Sequence, residues 1–165
     1  VSDLRTIIQT PFVIVGGIAT RLYMPERMTD DLDILIVAEH SERIYAELEQ
    51  AGSERVGTLT IGGSTWRLSD GTILDVLEFE QIWVADAIAD PTFSPDGLPV
   101  ISLPYLVLMK LQASRSQDLA DISRMLGGAN EEMLTSVRSV IGVYLSDASE
   151  DLESLITLGQ LEMGN

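Results

Sequence analysis

Asp31 and Asp33 are one residue apart in an otherwise apolar run, Asp31-Leu-Asp-Ile-Leu-Ile-Val37, and that spacing has a chemical consequence. In a strand, alternate side chains share a face. The two carboxylates therefore project together, while Leu32, Ile34 and Ile36 point the opposite way into a core. Carboxylates held close repel, and ionising both where water is scarce costs free energy. A divalent cation removes that cost, and magnesium in particular takes a few carboxylates together with water and phosphate oxygens. Asp75 interrupts a second apolar run, Thr72-Ile-Leu-Asp-Val-Leu-Glu-Phe79, and from an adjacent strand it could converge on the same position. Three such carboxylates fit two-metal phosphoryl or nucleotidyl transfer. Gly16-Gly17, between a strand and a helix, permits close backbone approach, and the helix N-terminus behind it favours phosphate. Each signal alone is common: a glycine pair is ordinarily a turn, and a lone Asp-x-Asp a solvated strand edge. Their conjunction points to chemistry.

These residues need elements to position them. Ser2 is read as the cap of a short opening helix through Gln9, and residues 11–15 as a buried strand ending at the glycine pair. A helix follows over 18–24, interrupted by Pro25. Residues 31–37 form the second strand, and 41–51 an amphipathic helix with Ile44 and Leu48 at i, i+4 and Gly52 beyond its end. Strands over 56–61 and 65–68 flank the hairpin signal Gly62-Gly63. Asp70-Gly71 makes another tight turn, and 72–79 a further strand. The character then changes. Residues 81–89 read as helix and 90–99 as a loop with three prolines, followed by helices over 103–113, 117–126, 131–145 and 151–161. The expected fold is α/β (α+β): a mixed sheet flanked by helices over residues 1–90, then a C-terminal helical bundle over 91–165.

The composition bounds the alternatives. With 165 residues, 45% of them hydrophobic, the chain can bury a sizeable core. It has no cysteine, which excludes disulfides, thiolate zinc sites and a cysteine nucleophile. No apolar stretch approaches the ~20 residues of a membrane span, and the N-terminal residues lack the pattern of a secretory signal. A soluble, cytoplasmic protein is expected. The net charge is −16, and nine arginines and one lysine are scattered without a basic run. Extended nucleic-acid binding is therefore disfavoured, since it neutralises phosphates with clustered cations.

The pattern Gly-Gly, then Arg27-Met-Thr29-Asp-Asp31-Leu-Asp33, then a single Asp75, resembles the DNA polymerase β-like nucleotidyltransferase superfamily. It is most similar to the small bacterial branch associated with toxin–antitoxin and abortive-infection systems. The resemblance is strong over about residues 10–80 and looser in the helical half. It implies a nucleotidyltransferase-like fold and transfer of a nucleoside monophosphate from a nucleoside triphosphate to a hydroxyl of a protein, an RNA end or a small molecule. It also implies Mg²⁺ or Mn²⁺ held by Asp31, Asp33 and Asp75, and a triphosphate held at Gly16 and Gly17. Arg27 and Thr29 match that branch's lead-in, where they would orient the loop or touch the triphosphate. Many members have Gly-Ser where this chain has Gly-Gly, so one hydroxyl is missing. That departure leaves a second reading: a non-catalytic, antitoxin-like module of the same fold, binding a cognate protein partner through its acidic surface.

Lys110, the sole lysine, lies among Leu106, Val107, Met109 and Leu111 and so needs a partner or a route to water. It could reach a nucleotide, as the branch's similar Lys-Leu and Arg-x-x-Asp-x-x-Asp segment implies, or pair with Asp118 or Asp121 on the next helix. For Arg115, Asp118 and Asp121, helix–helix bridging is expected. His40, the one histidine, reads as a loop residue, Asp30 as solvated, and Trp66 and Trp83 as core. Parity puts Glu78 on the face opposite Asp75.

Overall fold

The structure, a computed structural model, describes residues 3–164. The expected cap at Ser2 lies outside the described residues. The opening helix α1 is the single turn Leu4–Ile7, with the Asp3 side chain accepting from the Arg5 backbone N–H. Strand β1 (Val13–Val15) is fully buried, as its β-branched residues favour. Helix α2 (Gly16–Tyr23) starts at the glycines themselves rather than at Ile18, because Gly16 takes a φ of 68° that lets the chain turn straight out of the strand. Strand β2 is Leu32–Val37, so Asp31 stands just before it rather than within it. Helix α3 (Ser41–Gln50) buries Ile44 and Leu48. Strands β3 (Glu54–Thr58), β4 (Gly63–Arg67) and β5 (Ile73–Phe79) follow, and α4 (Trp83–Ala89) packs on β2.

The stretch read as a loop over 90–99 contains two more strands, β6 (Thr92–Phe93) and β7 (Pro99–Val100), paired antiparallel. β7 joins β1 in parallel, with the Ile101 N–H donating to the Ile14 carbonyl at 2.9 Å. The sheet is thus seven-stranded and mixed, in the order β3-β4-β5-β2-β1-β7-β6. Its central register runs Val15 opposite Asp33, Asp33 opposite Asp75 and Asp75 opposite Thr65. On the other face Ile34, Ile36, Trp66, Leu74 and Val76 are buried. There Tyr45 of α3 lies 5.4 Å from the Trp66 ring and bonds the Glu78 carboxyl. Trp66 and Trp83 are both in the core, and Glu78 faces away from Asp75, as expected from parity.

The chain divides into two compact units. The sheet unit holds the residues up to Ala19 and Arg27–Ile101, so the β6–β7 hairpin carries it past residue 90. The helical unit takes residues 20–26 and those from Ser102 onward. It contains α5 (Leu103–Ala113), α6 (Ser116–Gly127), α7 (Glu131–Tyr144) and α8 (Ser149–Glu162). Within it α5 packs on α6 and α7, and α6 on α8. The α6–α8 crossing is close because Gly127 and Gly159 meet backbone to backbone, leaving no room for a Cβ at either. No helix among the described residues is long and apolar enough to cross a membrane.

Candidate active site

A single row of residues crosses four strands of the sheet: Thr65, Asp75, Asp33 and Val15. Directly opposed residues share a face, so this register sets Asp75 beside Asp33 and brings both to the end of β1, where Gly16 begins. Gly16 is packed so closely on the Asp33 carboxyl that a Cβ there would overlap Oδ2. The glycine turn and the carboxylates therefore meet in one place.

Gly17 makes the matching contact with the lead-in loop. A Cβ at Gly17 would lie 2.6 Å from Thr29 Oγ1 and 2.6 Å from its Cγ2. That space is taken, so the glycine at this position and the threonine at 29 belong together. The Thr29 hydroxyl oxygen also accepts from the Asp31 N–H at 3.2 Å, which fixes the backbone that presents Asp31. Asp31 itself is exposed, while Asp33, Asp75, Thr29 and Arg27 are half-buried.

The electrostatics follow from the crowding. Burial pushes Asp33 up to about 6 from the usual 3.8, with further contributions from the charges of Asp75 and Asp31 and a side-chain hydrogen bond with Asp75. Asp75 also accepts from the Thr65 hydroxyl, 2.6 Å from Oδ1. Nothing in its residue type marks Thr65 for this role. The signal was nonetheless in the sequence: a tight turn at Asp70-Gly71, with strands on both sides, places residue 65 opposite 75.

The donor set is all oxygen and lacks histidine or thiolate, which suits a hard divalent cation. Asp33 and Asp75 fit such an ion, because two carboxyls in contact need either a proton or a cation between them. Among the described residues, no three such side chains stand together as a finished cage. Asp31, exposed at the mouth of the row, is the donor that would have to close on the pair.

Lys110 lies in the helical unit. It is buried, with Nζ 3.0 Å from Asp121 Oδ2 and 3.7 Å from Asp118 Oδ1. Of its two readings, the ion pair between α5 and α6 is the one these contacts supply. A triphosphate would have to compete with both carboxylates for that ammonium. Arg115 pairs with Asp118 at 2.6 Å along its own helix, and Gln117 donates to Asp121 at 2.8 Å. Asp118 and Asp121 thus bridge helices through Lys110, whereas Arg115 does not. His40 ends a 3₁₀ turn, Ala38–His40.

No family model and no curated protein matches this chain. Among solved structures, it is similar to ANT(2'')-Ia in complex with adenylyl-2''-tobramycin, at 17% identity and a TM-score of 0.48, over 93% of this chain and 88% of that one. It is similar to the lincosamide antibiotic adenylyltransferase LnuA with lincomycin bound, at 14% identity and a TM-score of 0.46, over 86% of this chain and 92% of that one. A third is the Thermotoga maritima CCA-adding enzyme complexed with tRNA, at 14% identity and a TM-score of 0.42, over 88% of this chain and 42% of that one.

Proposed function

We propose that the chain is a metal-dependent nucleotidyltransferase, moving a nucleoside monophosphate from a nucleoside triphosphate to a hydroxyl acceptor. One observation carries the reading: the Gly16 turn is packed on the Asp33 carboxyl, with Asp75 beside it. A turn suited to phosphate and a carboxylate pair suited to a cation thereby share one position.

In this reading Asp33 and Asp75, joined by Asp31, would hold Mg²⁺ or Mn²⁺. The bound cation supplies charge neutralisation of the phosphate oxygens and a lower pKa for the attacking hydroxyl. The protein supplies the rest. Backbone N–H groups at the start of α2 receive the triphosphate oxygens, with Gly16 and Gly17 allowing the approach that a side chain would block. Arg27, in the loop ahead of β2, offers a guanidinium to the same oxygens. Thr29 holds the Asp31 backbone in register with the turn. Asp33, its pKa pushed up to about 6 by burial and by the neighbouring carboxylates, would hold the cation in its ionised form.

The acceptor is a protein hydroxyl, an RNA end or a small molecule. The charge of −16 argues against a long nucleic-acid track and for a compact acceptor or one gripped locally. The Arg27-x-Thr29-x-Asp31 lead-in extends the proposal to a toxin–antitoxin-type setting with a cognate protein partner, for which co-purification with the product of an adjacent gene is the check. Transfer from labelled nucleoside triphosphates should disappear in the Asp31→Asn, Asp33→Asn double variant. Undiminished transfer there would refute the assignment.

A second reading, a partner-binding module without turnover, is favoured by the incomplete carboxylate cage. It predicts that no nucleoside triphosphate is retained even with Mn²⁺ present.

A further inference from the structure

We propose that Thr65 is a positioning residue for the carboxylate row, its hydroxyl holding Asp75 in the orientation that sets it against Asp33. As a contribution to catalysis this rests on the nucleotidyl-transfer reading; as a statement about Asp75 it stands on the geometry alone.

Asp75 has two lateral neighbours in its row, Asp33 on β2 and Thr65 on β4. One repels it when both are ionised; the other offers a donor. A carboxylate only accepts hydrogen bonds, whereas a hydroxyl can donate, so the 2.6 Å contact runs from Thr65 Oγ1 to Asp75 Oδ1. Bonds to a charged acceptor are among the stronger ones. Thr65 is itself stiff at χ1 because it is β-branched, and its strand is fixed by pairing on both sides. The hydroxyl thus engages one oxygen of Asp75 and turns the carboxyl plane, leaving the other oxygen for Asp33 or for a shared cation. Without it, and with both carboxylates ionised, repulsion from Asp33 would rotate Asp75 away. Outer-shell partners of ligating carboxylates act in this manner, and their loss costs ~10–100-fold in metal affinity or activity.

The test compares crystal structures of the wild type, Thr65→Val and Thr65→Ser, with Mn²⁺ affinity measured by electron paramagnetic resonance beside a non-hydrolysable ATP analogue. Valine keeps the shape and removes the donor; serine keeps the donor. In Thr65→Val the Asp75 carboxyl should swing off its contact with Asp33, and Mn²⁺ affinity should fall by about tenfold or more. Thr65→Ser should restore the orientation and most of the affinity. If valine does not fold, Thr65→Ala makes the same comparison. An Asp75 carboxyl that stays in place without the hydroxyl overturns the proposal, as does a serine variant as displaced as the valine one. A wild type that binds no Mn²⁺ with the nucleotide, while Asp75 still swings in Thr65→Val, refutes nucleotidyl transfer and leaves the positioning role standing.

Discussion

Asp33 is held near 6 by burial and by the charges of Asp75 and Asp31, against an ordinary value of 3.8. The native state therefore binds this proton more tightly than the unfolded chain does. The resulting stability is fully present below about pH 4 and is lost as pH rises through 6. Above that, an ionised Asp33 opposes folding unless a cation offsets it. Asp33→Asn should therefore raise the melting temperature of the metal-free protein at pH 7.5 and flatten its decline between pH 4 and 6. A shift of this size is worth ~3 kcal/mol. Partial exposure reduces that to about 1–2 kcal/mol, at roughly 2–4 °C per kcal/mol for a chain of this size. Scanning fluorimetry at pH 4.5 and 7.5 measures it, and equal melting differences at both pH values would contradict the assignment. Gly17 allows a second residue-scale test. Gly17→Ala should impair nucleotide binding because its methyl group meets the whole Thr29 side chain, Cβ included, and Thr29→Gly should recover part of the loss, a coupling of about 0.5–3 kcal/mol. Additive losses would show that the two side chains do not share that space. Asp33 and Asp75 were legible in the sequence because a charged residue in an apolar strand demands a reason. Thr65 was not, because a threonine in a strand is ordinary until its register is counted from Asp70-Gly71.

At the scale of elements, legibility tracked length and periodicity. β2, α3, β5 and the C-terminal helices carry enough repeats of 2 or 3.6 residues to show their type. β6 and β7 have two residues each, too few to show any period, and three prolines in that stretch read as loop. What places β7 is a tertiary event, its pairing beside β1, and no local signal encodes it. α2 begins two residues earlier than its sequence suggests: glycine propensity argues against helix, whereas the chain needs the φ of Gly16 to leave β1 at once. Lys110 sits between α5 and α6 with two aspartates that are themselves buried. Removing it as Lys110→Met should destabilise the protein by ~3–5 kcal/mol, since buried Asp121 would lose the ammonium 3.0 Å from it, while Asp118 keeps Arg115. Urea unfolding monitored by circular dichroism reads this directly; a change under 1 kcal/mol would mean the pair is not doing structural work. Gly159→Ala should cost about 3 kcal/mol or more in the same assay, because its methyl group would overlap the Ser123 backbone carbonyl and force α6 and α8 apart.

Across the whole molecule, the charge of −16 and the scattered arginines set the kinds of ligand the surface can recruit. A triphosphate is itself strongly anionic, so its binding here requires a cation at the carboxylates, and affinity for nucleotide without metal should be negligible. This dependence separates the account from a plain phosphate-binding turn, which would bind without metal. Isothermal titration of each nucleoside triphosphate into the full chain, with Mg²⁺ or Mn²⁺ and then with chelator, is the most direct test. The account predicts binding of at least one nucleoside triphosphate only when metal is present, and its loss in both Asp33→Asn and Asp75→Asn. Binding that is indifferent to chelator, or that survives in both variants, would contradict a nucleotidyl-transfer site built on this row of the sheet.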